Sequence, residues 1–560
     1  MTATSVDGPP QTWQARVAAK RAKSVAGIPA AWKLAPAFQR SLNANATSGT
    51  NLIELGAVRQ SGVLSEKEIG ITETPTAGAL LQQLRRGELA AEDVVVAFCK
   101  RAAVAQQLTS CLTETFFDEA IERAHFLDEY LKKEKRPIGP LHGLPISVKD
   151  SFCVKGHATT LGFVSFLDNP PASQNSALVQ ILLDLGAVLY VKTNIPQTLM
   201  TADSDNNVFG RTLNPHNTSL TAGGSSGGEG ALVALRGSIL GVGTDVAGSI
   251  RIPSLCCGVY GFKPTPNRIP YGGQVSPALL GDPGIPPAAG PLGQSVADLQ
   301  IFFKSVLDAV PWKYDSTASA VPWLGHSMDA LANSDKELLT VGVLAEDPDF
   351  PLHPPVRRAF AAATAALAKA GHKIVQLPQD TLSSPSTACR IAFELFSIDP
   401  LQTTAGYIKR SGEPFVKSVL GSMPPGEPKN YSIDMLAALN VERTAFGEKW
   451  RQIWVENGLD LVLSPGAQNT AVPHDTYGLP PYTALWNLLD YPACIIPYGK
   501  SSKETDPQPV KVEAPAKGPD YDPDAVHGAP CAIQISTPPF HDEKCLAVAD
   551  IVDQVLNGRN

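Results

Sequence analysis

Apolar positions fall into two periods along this chain. Between Thr76 and Arg86 they recur three and four residues apart, at Leu80, Leu81 and Leu84. That spacing predicts a helix capped by Thr76 and ended by Gly87. Helices are likewise predicted over residues 91–107, 118–133, 176–185, 355–370 and 541–556, two of them stopping at Gly186 and Gly371. Short apolar runs predict strands at 145–149, 187–191, 339–344, 373–377, 459–463 and 494–496. Helix and strand patterns alternate, which predicts an α/β fold. Residues 1–70 read as a helical appendage and linker, with a basic helix over 11–32 and an Ala/Ser/Asn-rich link over 41–51. Residues 500–525 are rich in Lys, Asp and Pro and read as a surface excursion. Residues 220–265 combine dense glycine with apolar runs, which a flexible linker would lack. Glycine there predicts close backbone approach or positive φ.

Composition narrows the class. The chain has 560 residues, 43% hydrophobic and 18% charged, a globular balance. Its formal net charge of −8 argues against a nucleic-acid partner, which calls for a basic stripe or domain. The nine cysteines are scattered and form no CxxC, so neither a disulfide framework nor a zinc site is expected. Reduced, buried thiols suit a cytoplasmic protein. No apolar run is long enough for an integral membrane segment, and the first residues lack the apolar core of a secretion signal.

The chemistry concentrates around three hydroxyl or amine side chains. Residues 223–227, GGSSG, satisfy the GxSxG pattern with Ser225 as nucleophile. The polar stretch before it, residues 214–221, is not the hydrophobic strand a nucleophile elbow needs, and no Asp and His follow in clear order. A Gly-rich turn with incidental serines explains the match as well. No phosphate-loop pattern is present. A wider constellation joins Ser225 to Ser249, in GVGTDVAGSIRIP, and to Lys149, in HGLPISVKD.

These stretches resemble the amidase signature family. Residues 223–265 read as close to the whole signature, and 142–150 match its lysine-bearing motif. KRAAVAQQLTSC (100–111), RPIGPLHGLPIS (136–147), VKTNIPQTLM (191–200), PWKYDS (311–316) and YDPDAVHGAP (521–530) are similar to the fungal acetamidase or general amidase branch. The resemblance spans about residues 60–558. It implies one large domain over 71–560, a mixed, twisted β-sheet sandwiched between helix layers. It implies a Ser-cisSer-Lys triad: Ser249 the nucleophile, Ser225 in a cis peptide with Gly224 as the bridge, and Lys149 the base. Backbone N–H groups of Val246, Ala247, Gly248 and Ser249 would form the oxyanion hole. Ala247 departs from the usual glycine, and its methyl group could narrow the acyl pocket or leave the geometry untouched. Asp245 and Arg251 flank the nucleophile as an expected ion pair, Ser226 is expected beside the triad, and Leu199 and Met200 are candidate acyl-pocket residues. His142 and His527 follow the pattern of fixed structural neighbours.

The lysine assignment has its own physical requirement. A serine needs an adjacent base, and a lysine is one only when burial or a neighbouring cation lowers its pKa. Ile146 and Val148 precede Lys149, as at a buried strand end. The resemblance implies no metal or organic cofactor. It implies hydrolysis of a small-molecule amide, most readily a small aliphatic or aryl one. The alternatives are a bulkier natural-product amide, or a non-catalytic binding member of the fold. A tRNA-linked amidotransferase subunit and a membrane-bound fatty-amide hydrolase fit less well. Family habit points to a homodimer.

Overall fold

Eleven strands hydrogen-bond into one mixed sheet in the computed structural model, which describes residues 12–43, 49–282, 284–325, 338–422 and 432–558. In chain order they are β1 (Leu112–Thr115), β2 (Pro145–Lys149), β3 (Val188–Thr193), β4 (Leu240–Asp245), β5 (Tyr260–Lys263), β6 (Ala288–Gly293), β7 (Thr340–Val343), β8 (Lys373–Gln376), β9 (Leu461–Pro465), β10 (Ala493–Lys500) and β11 (Pro530–Ser536). Their spatial order is β1-β3-β2-β4-β6-β5-β10-β11-β9-β7-β8. The run β3-β2-β4 is parallel, as is β9-β7-β8; the strands between and the β1 edge pair antiparallel.

Every residue of β2, β3 and β4 is buried. Helices cover the sheet on both faces, so even the polar residues of these strands are buried, among them Ser147, Lys149, Thr193 and Asp245. The largest apolar cluster joins them to helices Ala91–Thr109, Phe117–Glu134, Val296–Asp308 and Asp542–Asn557. The α/β class and the mixed sheet between helices are therefore as expected.

Element boundaries follow local chemistry. Thr76 Oγ1 accepts from Ala79 N at 3.1 Å, and Gly87 ends that helix at φ +67°. Ser176 and Leu185 flank helix Ala177–Asp184 as its caps. The basic N-terminal helix expected over 11–32 is shorter, Trp13–Ala26, because Gly27 and Pro29 stop it; residue 11 lies outside the described residues. The link expected over 41–51 begins inside a helix, Pro36–Asn43, and residues 44–48 also lie outside the described residues. Helix Trp13–Ala26 lies against the rest of the chain: Val17 packs with Val164 and Val208, and Arg21 Nε donates to Val208 O at 2.8 Å. The polar stretch 214–221 is a hairpin of two short strands, Leu213–Asn214 and Asn217–Thr221. Segment 500–525 is irregular and largely exposed, pinned by buried Tyr521 and by the Arg358–Asp506 ion pair at 2.8 Å. All nine cysteines are unpaired. Among the described residues no helix is long and apolar enough to cross a membrane.

Candidate active site

Lys149 is the last residue of β2, and β4 runs parallel beside it, with Val148 in register with Val242. The end of β4 therefore lies next to the lysine amine. Lys149 Nζ donates to Thr244 Oγ1 at 2.8 Å and lies 2.6 Å from Ser225 Oγ. Ser225 follows a cis peptide bond with Gly224 and immediately precedes Ser226 and helix α1 (Gly227–Ala234). Gly224 is required by close approach: a Cβ there would lie 2.2 Å from Thr201 O. Ser226 N donates to Ser249 O at 3.2 Å, which fixes the Ser225–Ser226 turn against the Ser249 turn. Ser249 itself immediately precedes Ile250 and helix α2 (Arg251–Cys257). The sheet and two tight turns thus bring Lys149, Ser225 and Ser249 together. Lys149 is 0% exposed, Ser225 2% and Ser249 9%, so accessibility rises from lysine to Ser249.

The Ser249 turn hangs on Asp245. Its carboxylate accepts from Gly248 N at 2.9 Å, Ile250 N at 3.1 Å and Asn487 Nδ2 at 2.9 Å. It also accepts from Arg251 Nε at 3.0 Å and Nη2 at 2.9 Å, so the expected ion pair is present. Arg251 continues to Gln534 Oε1 at 2.8 Å and Asn487 Oδ1 at 2.5 Å. Burial alone would raise the Asp245 pKa; the Arg251 charge and hydrogen bonds hold it well below the usual carboxylate range. One candidate oxyanion donor changes standing. The Gly248 N–H is committed to Asp245, so of the four candidate donors Val246, Ala247 and Ser249 remain. Gly248 has φ +132°, and a Cβ there would lie 2.4 Å from Thr483 Oγ1. Ala247 has no positive φ, and its carbonyl accepts from Thr483 Oγ1 at 2.7 Å. Glycine is thus needed at 248 and not at 247, and the methyl group of Ala247 leaves the turn unstrained.

Burial lowers the Lys149 pKa to about 7, with the negative charge of Asp245, and that of Glu229 when ionised, opposing the shift. Glu229, in α1, is fully buried, and its carboxyl is hydrogen-bonded with Ser147 Oγ at 2.5 Å and Thr193 Oγ1 at 2.8 Å. Burial pushes its pKa up to about 8. Sequence reasoning missed Glu229, although a lone carboxylate inside the apolar run GGEGALVA was a signal. It also missed Thr483, Asn487 and Gln534, which lie more than 230 residues beyond Ser249 and carry no local signature.

The remaining candidates are placed as follows. Ser226 Oγ sits 3.4 Å from both the N and O of Thr244, next to Ser225 in the chain. Leu199 is half-buried, at φ +62°, against the apolar cluster of Leu161, Phe163, Phe166, Ile195 and Ile408. Met200 is 40% exposed and belongs to none of the apolar clusters. His142 Nδ1 accepts from Ile138 N at 3.1 Å, and His527 Nδ1 from Lys503 N at 3.3 Å; each braces its own loop.

A sequence model of the Amidase family matches residues 93–546. An amidase of Gibberella moniliformis is 42% identical over 97% of this chain and 99% of its own length. An acetamidase of Emericella nidulans is 38% identical over 98% of this chain and 99% of its own length. Among solved structures, a fatty acid amide hydrolase superposes with a TM-score of 0.88 at 32% identity, covering 96% of this chain and 94% of that one. A bacterial aryl acylamidase shares the fold at a TM-score of 0.70 and 21% identity, over 86% and 96% of the two chains.

Proposed function

This chain belongs to the amidase signature family and is an amide hydrolase; from that premise we propose that it cleaves small carboxylic amides through an acyl-Ser249 intermediate. The observation that carries the reading is the buried contact of 2.6 Å between Lys149 Nζ and Ser225 Oγ, beside the Ser249 turn. Neutral Lys149 takes the Ser225 proton as Ser225 takes that of Ser249. The freed Ser249 Oγ attacks the amide carbon. The oxyanion is met by the N–H groups of Val246, Ala247 and Ser249, supplied before the charge develops. Collapse expels the nitrogen, which receives the relayed proton and leaves as ammonia or amine. Water, deprotonated by the same relay, then releases the acid.

Similarity over nearly the full length to two fungal acetamidases, at 38% and 36% identity, supports a short acyl chain. The fatty acid amide hydrolase at a TM-score of 0.88 favours a second reading, a longer chain. Ammonia release across acetamide, propionamide, hexanamide and benzamide decides between them. Turnover that falls with chain length supports the first reading; turnover that rises with it supports the second.

A further inference from the structure

Behind Lys149 lies a buried chain of hydroxyls that ends on a carboxyl group. Glu229 touches Thr193 Oγ1 at 2.8 Å and Ser147 Oγ at 2.5 Å. Ser147 Oγ touches Ser238 Oγ at 2.9 Å, and Ser238 Oγ touches the Leu240 carbonyl at 2.7 Å. Thr193, Ser147, Ser238 and Glu229 are all 0% exposed.

Counting protons favours one state of the carboxyl. Four contacts need four protons, and the three hydroxyls supply one each. The Leu240 carbonyl can only accept, so Ser238 must donate to it. Ser147 must then donate to Ser238, and its proton is no longer free for Glu229. Tyr190 also neighbours Ser238, but its hydroxyl donates to Gly237 O at 2.5 Å and so offers the chain no proton. If all four contacts carry a proton, the one in the 2.5 Å Glu229–Ser147 contact belongs to Glu229. A carboxylate would instead leave the Ser147–Ser238 contact without a proton, with two buried hydroxyl oxygens facing each other at 2.9 Å.

The other charges around the amine are already balanced. Asp245 is held by Arg251 at 2.9 Å, and Asp150 pairs with Lys192 at 3.3 Å. The remaining groups that influence Glu229, besides Lys149, are the buried neutral Cys111 and Tyr190. Glu229 is thus the carboxyl that decides whether Lys149 has an anionic partner. An ionised Glu229 would hold a proton on the lysine and disable it as a base.

We propose that Glu229 is a positioning residue held as a neutral acid by the Ser147–Ser238–Leu240 chain, so that the proton of the buried pair sits on the carboxyl and not on Lys149. The proposal rests on the reading of Lys149 as base. It is tested by the pH dependence of Ser249 labelling with a fluorophosphonate probe. Glu229→Gln copies the neutral acid, donating to Ser147 and accepting from Thr193, and is expected to leave the midpoint of the acid limb in place. Ser238→Ala frees the Ser147 proton for Glu229 and stabilises the carboxylate. It is expected to raise that midpoint by about one unit, a tenfold fall in rate on the acid limb, with carboxylate absorption replacing that of the protonated carboxyl in the infrared difference spectrum. The Glu229→Gln/Ser238→Ala double variant is expected to return to the wild-type midpoint. A downward shift of about a unit in Glu229→Gln, or no shift in Ser238→Ala, would overturn the proposal. Lys149→Ala runs alongside: if the limb persists there, the base assignment itself falls, and the proposal with it.

Discussion

As the proposed base, Lys149 works only when neutral. Below its pKa of about 7 the amine is an ammonium with no lone pair, and above it the lone pair can receive the Ser225 proton. Because burial has lowered this pKa, the active form gains as pH rises, so kcat/KM on an amide is expected to climb tenfold per unit below about pH 7 and level off above it. A flat profile from pH 5 to 8 would contradict the assignment. Lys149→Ala removes the base and is expected to lower kcat by 10²- to 10⁴-fold, the usual share of a general base. Far-UV circular dichroism checks that this variant stays folded. Lys149 was legible in the sequence because its motif and the preceding apolar residues marked a buried strand end. Glu229 was not, because its meaning depends on Ser147 and Thr193, which stand on β2 and β3.

The elements that the sequence reveals are those whose ends are written locally. Thr76 and Gly87 bracket one helix, and Gly371, at φ +96°, follows another, Pro354–Lys369. Strand β4 and helices α1 and α2 were hidden in the Gly-rich stretch, because glycines there serve the packing of turns and dilute the apolar period. The 245–251 turn shows the difference between two adjacent positions. Ala247→Gly is expected to keep labelling of Ser249 within about threefold if the Ala247 methyl group neither strains the turn nor shapes the acyl site. Gly248→Ala forces a Cβ into Thr483 and a φ that only glycine adopts readily, at a cost of about 1–3 kcal/mol. The displaced turn is expected to label about 10²-fold more slowly. Equal rates for Gly248→Ala and the wild type would show that the turn does not position Ser249.

Arg251 connects parts of the chain that sequence proximity never would. It joins Asp245 at the end of β4 to Asn487 in helix Pro481–Leu488 and to Gln534 in β11. No local pattern announces such contacts, so the sheet order and the outer shell of the site waited for the structure. Asp245→Asn leaves the buried guanidinium without its counter-charge and is expected to destabilise the chain by about 3–5 kcal/mol, read from chemical denaturation. A change under 1 kcal/mol would mean that the pair is not what holds the Ser249 turn.

The intact molecule is also where the central claim is decided. One measurement reaches it most directly: peptide mapping by mass spectrometry after reaction with a fluorophosphonate, with Ser249→Ala assayed for ammonia release alongside. The account predicts a single adduct on Ser249 and loss of nearly all turnover in Ser249→Ala. An adduct on Ser225, or near-native turnover in Ser249→Ala, would contradict it.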